Sequence, residues 1–195
     1  MHEILIGTKN PHKQQKLTEI VSPLFHPVLR PELPEVKEDG GSFQEIAEQK
    51  ALANARWFRG LAVATDGGAV IPALSDAEWK PLYTRRFAGT DSERIARLLD
   101  LMRGKRDRRV RWLEAIAVAD AERVLFSTTV EAMEGVLDET FNPAYYKEGI
   151  WLCSVTSFPQ FGGRNFFELS KEEQAQTEDS WEKLGKEFRA FFGKK

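Results

Sequence analysis

Ile4-Leu5-Ile6-Gly7-Thr8-Lys9-Asn10-Pro11-His12-Lys13 is the stretch on which the reading of this chain turns. Three aliphatic residues in a row make a buried strand. Asn10 followed by Pro11 then marks a helix start, with a capping side chain before the ring whose fixed φ suits the first helical position. A strand running straight into a helix puts the Thr8 hydroxyl, unpaired backbone N–H groups and the Lys13 ammonium at the positive end of a helix dipole, which is how an anion site is built. The spacing is not that of the Gly-rich phosphate loop, Gly-x-x-x-x-Gly-Lys-Ser/Thr. Taken alone, the segment reads first as an ordinary capped strand-to-helix junction.

Downstream, strand and helix patterns alternate. Ile4 to Gly7 is predicted as a strand, Pro11 to about Val21 as a helix, and His26 to Arg30 as a short extended segment between prolines. Ser42 to Arg59 is rich in Ala, Glu, Gln and Lys and reads as a helix stopped by Gly60. Leu61 to Thr65 reads as a short buried strand delivering Asp66, followed by Gly67-Gly68 and a second apolar run from Ala69 to Leu74. Asp91 is the expected cap of a helix from about Ser92 to Met102, with Ile95, Leu98, Leu99 and Met102 on one face. Trp112 to Ala119 and Val124 to Glu131 read as two long antiparallel strands joined at Asp120-Ala121-Glu122, and Ile150 to Thr156 reads as a further strand. The C-terminal helix carries Trp181, Leu184, Phe188, Phe191 and Phe192 as an apolar stripe for core or dimer contact. Strand–helix units followed by long hairpin strands predict an α/β fold with a mixed central sheet flanked by helices.

Composition narrows the function classes. A length of 195 residues suits one domain with a sizeable apolar interior. Hydrophobic content of 42% and charged content of 30% are ordinary for a soluble globular protein. A net charge of −2 gives no electrostatic reason to expect nucleic acid as a partner, and the basic run Arg103, Lys105, Arg106, Arg108, Arg109, Arg111 reads as a solvated loop entering a strand. Cys153 is the single cysteine, so no intrachain disulfide forms and a reducing compartment is the default. Without an 18-residue apolar run or a signal-like start, the expectation is a cytoplasmic protein with no membrane partner.

Two carboxylates stand out. Asp66 closes an apolar strand and precedes two glycines that would let a ligand approach; the same residue also suits an Asx turn. Glu45 lies three residues after Ser42, where it reads most simply as the acid of a capping box.

These features occur in an order that resembles the inosine-triphosphate pyrophosphatase family, the enzymes that clear non-standard purine nucleoside triphosphates. Thr8-Lys9-Asn10-Pro11-His12-Lys13 is similar to that family's opening Thr-Gly-Asn-Pro-Gly-Lys. Phe43 to Ala51 resembles its Phe-x-Glu-Asn-Ala-x-x-Lys-Ala helix, and Ala64-Thr65-Asp66-Gly67-Gly68-Ala69 its Ala-Asp-Asp-Ser-Gly-Leu segment. Arg86-Phe87-Ala88-Gly89 matches Arg-Tyr-Ala-Gly, Glu134-Gly135 its Glu-Gly, and Asn165 to Ser170 its Thr-Phe-Ala-Glu-Leu-Ser.

The resemblance implies an elongated, two-lobed fold with a cleft between the lobes, a homodimer, and Mg²⁺-dependent hydrolysis of a nucleoside triphosphate to monophosphate and pyrophosphate. It implies Asp66 as proton acceptor, and Asp66 with Glu45 as metal ligands, which suits the preference of Mg²⁺ for hard oxygen donors. Thr8, Lys9, Asn10, Lys13 and the Gly67 N–H would then cradle phosphates, with Lys50 and Arg86 adding positive charge and Trp151 stacking on the base. Lys50 and Arg86 read equally as a solvated helix face and a loop cation, and Trp151 as core.

The departures from the pattern are chemical. Thr65 stands where the first acid is expected, Gly67 where the serine is, and Ile46 beside Glu45 where the asparagine is. The Gly-Phe-Gly-Tyr-Asp-Pro that frames the base has become Gly149-Ile150-Trp151-Leu152-Cys153-Ser154. The late lysine falls at Gln174, and the Ser-His-Arg-Gly that reads the purine falls at Glu178-Asp179-Ser180-Trp181. A pyrophosphatase with changed base specificity and a nucleotide-binding or regulatory protein without turnover are the alternatives these losses raise; a purely structural dimer subunit fits the retained Lys13 and Asp66 poorly.

Overall fold

The computed structural model describes residues 2–148 and 150–194, apart from the side chains of Tyr83, Arg85 and Arg86. In chain order the elements are β1 (Glu3–Ile6), α1 (Pro11–Val21), β2 (His26–Val28), α2 (Phe43–Phe58), β3 (Leu61–Val70), α3 (Asp91–Leu101), β4 (Arg109–Ala119), β5 (Val124–Glu131), β6 (Gly135–Leu137), β7 (Thr156–Phe158), β8 (Arg164–Asn165), α4 (Lys171–Thr177) and α5 (Ser180–Phe192). The strands form a mixed sheet in the order β2-β1-β3-β4-β6-β7-β8, with β5 pairing β4 off this path. β1 is parallel to β2 and β3, and β4 is antiparallel to β5 and β6. This is the mixed α/β architecture expected from the sequence.

The chain forms two compact units. Residues 1–67, 113–131 and 180–195 make the first, and residues 68–112 and 132–179 the second. In the first unit, Ile4, Ile6, Val63, Ile116 and Val118 pack against Leu17, Ile20 and Val21 of α1 and Leu184 and Phe188 of α5. Side chains alternate along a strand, so the fully buried Leu5, Ala62, Ala64, Ala115 and Ala117 face the other way. α2 covers that second face: Gln44 and Glu48 hydrogen-bond Ser127, which pairs with Ala117. Alanines on both sides, with Ala47, Ala51 and Ala55 on the helix, let it seat closely. The second unit buries Ala69, Ile71, Trp79, Ile95, Leu98, Met102, Val110 and Leu137 around Trp151, Leu152 and Val155.

Four local expectations are corrected. β3 does not stop at Thr65 but runs on through Asp66-Gly67-Gly68 to Val70, because the glycines are extended rather than turned. The left-handed residue ending α2 is Arg59, at φ 58°, not Gly60. α3 is capped by Thr90, whose hydroxyl and the Glu93 carboxylate complete a capping box, so Asp91 is already helical. Residues 151–155 form a 3₁₀ turn before β7 rather than a strand. Trp151, Leu152 and Val155 recur at helical spacing, which points all three into one core.

Phe188 is fully buried, with its ring centroid 5.9 Å from that of Phe25 and 4.9 Å from that of Phe192. Phe188→Ala is expected to destabilise the protein by about 3–5 kcal/mol, measured by thermal or denaturant unfolding. A loss well below 1 kcal/mol would contradict the placement of α5 in the core.

Candidate functional site

The charged groups of interest lie in the first unit, where β3 outruns its parallel neighbour. The last β1–β3 pair is Ile6 with Val63, and the Gly7 N–H donates to the Val63 carbonyl at 2.7 Å. β1 has then given way to the turn into α1, while β3 continues to Val70. That turn is fixed by its own polar groups. The Asn10 N–H donates to Thr8 Oγ1 at 3.2 Å, the Lys13 N–H donates to Asn10 Oδ1 at 3.2 Å, and Gln14 Nε2 donates to the Thr8 carbonyl at 2.9 Å. Asn10 is thus the N-cap and Pro11 the first helical residue, as read from sequence. Lys9 is exposed.

Alternation along β3 sends its charged neighbours to two faces. Asp66 projects toward α2, where Lys50 Nζ donates to Asp66 Oδ1 at 2.7 Å and reaches Glu38 Oε1 at 2.7 Å. Burial alone would disfavour the charged form of Lys50. The hydrogen bonds and charges of Asp66 and Glu38 outweigh it and hold its pKa above the ordinary lysine value. On the α1 face, Lys13 Nζ donates to Glu114 Oε1 at 2.7 Å. The Glu114 carboxylate lies over Gly67: a Cβ on residue 67 would stand 2.2 Å from Glu114 Oε2 and 2.7 Å from the Leu113 carbonyl. Gly67 is therefore a close-approach glycine, not a turn glycine.

Glu45 does what the capping reading expects. Its N–H donates to Ser42 Oγ at 3.1 Å, and its exposed carboxylate accepts from the Gly41 N–H at 2.7 Å, one residue short of a formal capping box. It belongs to α2, on the same side of the sheet as Asp66. Among the described residues no group of three or more His, Cys, Asp and Glu is arranged to hold a metal ion. The Thr65 hydroxyl is buried and has no partner among the described residues.

Several expected site residues sit in the second unit. Trp151 is 5% exposed and packs in its core, parallel to Phe87 at 6.4 Å and edge-on to Trp79. Its ring offers no open face for a base, which corrects the stacking expectation in favour of core. The Arg86 side chain and Gly149 lie outside the described residues. Gln174 donates to the carbonyls of Phe166 and Leu169, so it braces the chain where a lysine was expected. The Asn165-to-Ser170 motif is capping chemistry here, with Glu168 closing a capping box on Asn165 and Ser170 opening α4.

Sequence reasoning missed Glu38 and Glu114. Nothing separates Glu38 from the other acids of residues 32–39. Glu114 left a readable signal, an acid on an alternate position of the otherwise apolar Trp112–Ala119 strand.

Residues 4–149 match the model of the Ham1 family. A dITP/XTP pyrophosphatase of Gloeobacter violaceus is 34% identical over 139 residues, 70% of this chain and 70% of that protein. Another, from Synechocystis sp., is 33% identical over 120 residues; the match spans 61% of each chain, less than two thirds of that relative's length. The solved structure of a HAM1 protein from Coxiella burnetii superposes with a TM-score of 0.80 at 25% identity, over 95% of this chain and 98% of that one.

The raised Lys50 pKa has a testable sign. Its stabilising contribution is fully present below the unfolded value of about 10.5 and is lost as pH rises through the higher folded value. Thermal melts of wild type and Lys50→Met across pH should show a constant gap up to about 10 that closes on further alkalinisation. A gap unchanged through the alkaline range would contradict the charged Asp66–Lys50–Glu38 arrangement.

Proposed function

The chain belongs to the Ham1 family, and on that premise we propose that it hydrolyses non-standard purine nucleoside triphosphates, such as those named for its relatives, to the monophosphate and pyrophosphate. The observation that carries this reading is the Asp66–Lys50 pair on the stretch of β3 that outruns β1, in the same unit as the capped start of α1. It joins a carboxylate that can take a proton to a helix N-terminus and lysines that can hold phosphate.

Each residue then has a stated task. The Thr8 hydroxyl, the backbone N–H groups around Lys9 and Asn10, and the Lys13 ammonium bind the phosphate chain. Lys50 fixes the Asp66 carboxylate through a hydrogen bond of 2.7 Å. Asp66 accepts the proton of a water whose oxygen attacks the α-phosphorus; the bond from that phosphorus to the pyrophosphate oxygen breaks, and pyrophosphate leaves with the electron pair. The donor set is all carboxylate oxygen, which fits Mg²⁺, an ion commonly held by one or two carboxylates plus substrate phosphates. Asp66 and Glu45 would hold it, with Glu38 within reach of the same Lys50. When bound, it neutralises phosphate charge.

Base selection is altered. Trp151 is core, and the segment expected to read the purine edge is Glu178-Asp179-Ser180-Trp181, with Trp181 packed edge-on to His12 at 6.1 Å. A site without its polar reader discriminates bases poorly. No helix among the described residues is long and apolar enough to cross a membrane, and a cytoplasmic homodimer suits a nucleotide-pool enzyme. The exposed aromatic rings of Trp57 and Phe191 suit such pairing. Sedimentation should give the dimer mass, and a monomer at micromolar concentration would contradict it.

Asp66→Asn keeps shape but removes charge and basicity. It should lower turnover by about 10²- to 10⁴-fold, whereas wild-type turnover would sink the mechanism. Glu45→Gln should raise the Mg²⁺ concentration needed for half-maximal rate with little change in melting temperature. Unchanged Mg²⁺ dependence would leave Glu45 as a cap alone.

A further inference from the structure

The phosphate-binding lysine already has an anion on it. Lys13 and Glu114 meet at 2.7 Å with side chains only 23% and 14% exposed, so solvent screens the pair less than it would a surface ion pair. The contact is long-range in sequence, 101 residues apart, and it depends on residue 67 having no side chain. A serine at residue 67 would put its Cβ against the Glu114 carboxylate, so Gly67 and Glu114 are a matched pair. Residue 65, two positions along β3 and on the same face, carries a neutral threonine where that pattern has an acid. The carboxylate facing Lys13 comes from β4 instead.

We propose that Glu114 is an internal counter-ion that an incoming phosphate chain displaces from Lys13, so that Glu114 sets the affinity of this site for polyphosphates. The proposal rests on the reading of the α1 start as the phosphate site. An ammonium neutralised at hydrogen-bond distance attracts an oxyanion weakly, and a carboxylate left beside bound phosphate repels it. Binding is an exchange, in which the Lys13–Glu114 hydrogen bond breaks and a Lys13–phosphate bond forms. A ligand with several phosphate charges drives that exchange further than one with a single charge. Glu114 is thus a determinant of selectivity at the binding step.

The test is calorimetric titration of the full chain with inorganic pyrophosphate in the presence of a chelator, so that no divalent ion takes part. Glu114→Gln keeps the shape and removes the charge. It should bind pyrophosphate about tenfold more tightly than wild type or better, the scale on which one charge-assisted hydrogen bond tips an equilibrium. Adding Lys13→Met to it should abolish the gain. Glu114→Ser, shorter and neutral, carries the same expectation if the glutamine variant folds poorly, with thermal melts identifying the folded proteins. Equal or weaker binding by both folded Glu114 variants, beside measurable wild-type binding, overturns the counter-ion while leaving the phosphate site intact. Binding by no variant overturns both the counter-ion and the phosphate-site reading. A gain that survives Lys13→Met places the anion elsewhere and overturns the proposal.

Discussion

β3 continues past the end of β1, and the chemistry of the first unit follows from that mismatch of strand lengths. Where β1 has turned into α1, the continuing strand has a helix N-terminus beside it and charged side chains on both of its faces. Strict alternation sends Asp66 to the α2 face and leaves residue 67 facing α1. Lys50 reaches the first and Glu114 covers the second. The alanine-lined faces of β3, β4 and α2 hold this framework close enough for a lysine on α2 to touch a carboxylate on the sheet.

The charges of this region are paired. Lys50 is shared by Asp66 and Glu38, and Lys13 is held by Glu114. Each cation is partly buried and each is compensated. Partly buried charges left without partners would be costly, and each of these lysines keeps a carboxylate oxygen at 2.7 Å. Gly67 belongs to this economy of space, because a Cβ there would run into the Glu114 carboxylate and the Leu113 carbonyl where they now lie.

Much of this was legible in the sequence, for reasons that differ by residue. Asn10-Pro11 fixed the start of α1 because a cap and a pre-set φ act locally, and the α1 span from Pro11 to Val21 followed. Val124 to Glu131 was read as the antiparallel partner of Trp112 to Ala119 across Asp120-Ala121-Glu122, and it pairs with β4 in that sense. The matching motifs around Lys13, Glu45, Lys50 and Asp66 identified the family that the comparisons bear out. Gly67-Gly68 were rightly read as allowing close approach, but the strand was ended too early, at Thr65, because glycine also serves turns and only the neighbouring strand decides. Trp151 misled because its burial comes from Trp79 and Phe87, more than sixty residues away in sequence. Glu114 was marked by being an acid in an otherwise apolar strand, but its partner Lys13 lies 101 residues away, and Glu38 carries no local mark of its pairing with Lys50.

The central claim is that this unit directs water to the α-phosphorus of a nucleoside triphosphate, and product labelling tests it most directly. Inosine, xanthosine and the common nucleoside triphosphates would be incubated with the protein and Mg²⁺ in water enriched in heavy oxygen. The account predicts labelled nucleoside monophosphate and unlabelled pyrophosphate, with the inosine and xanthosine compounds turned over. Release of orthophosphate with nucleoside diphosphate, label in the pyrophosphate, or nucleotide binding without turnover would contradict it.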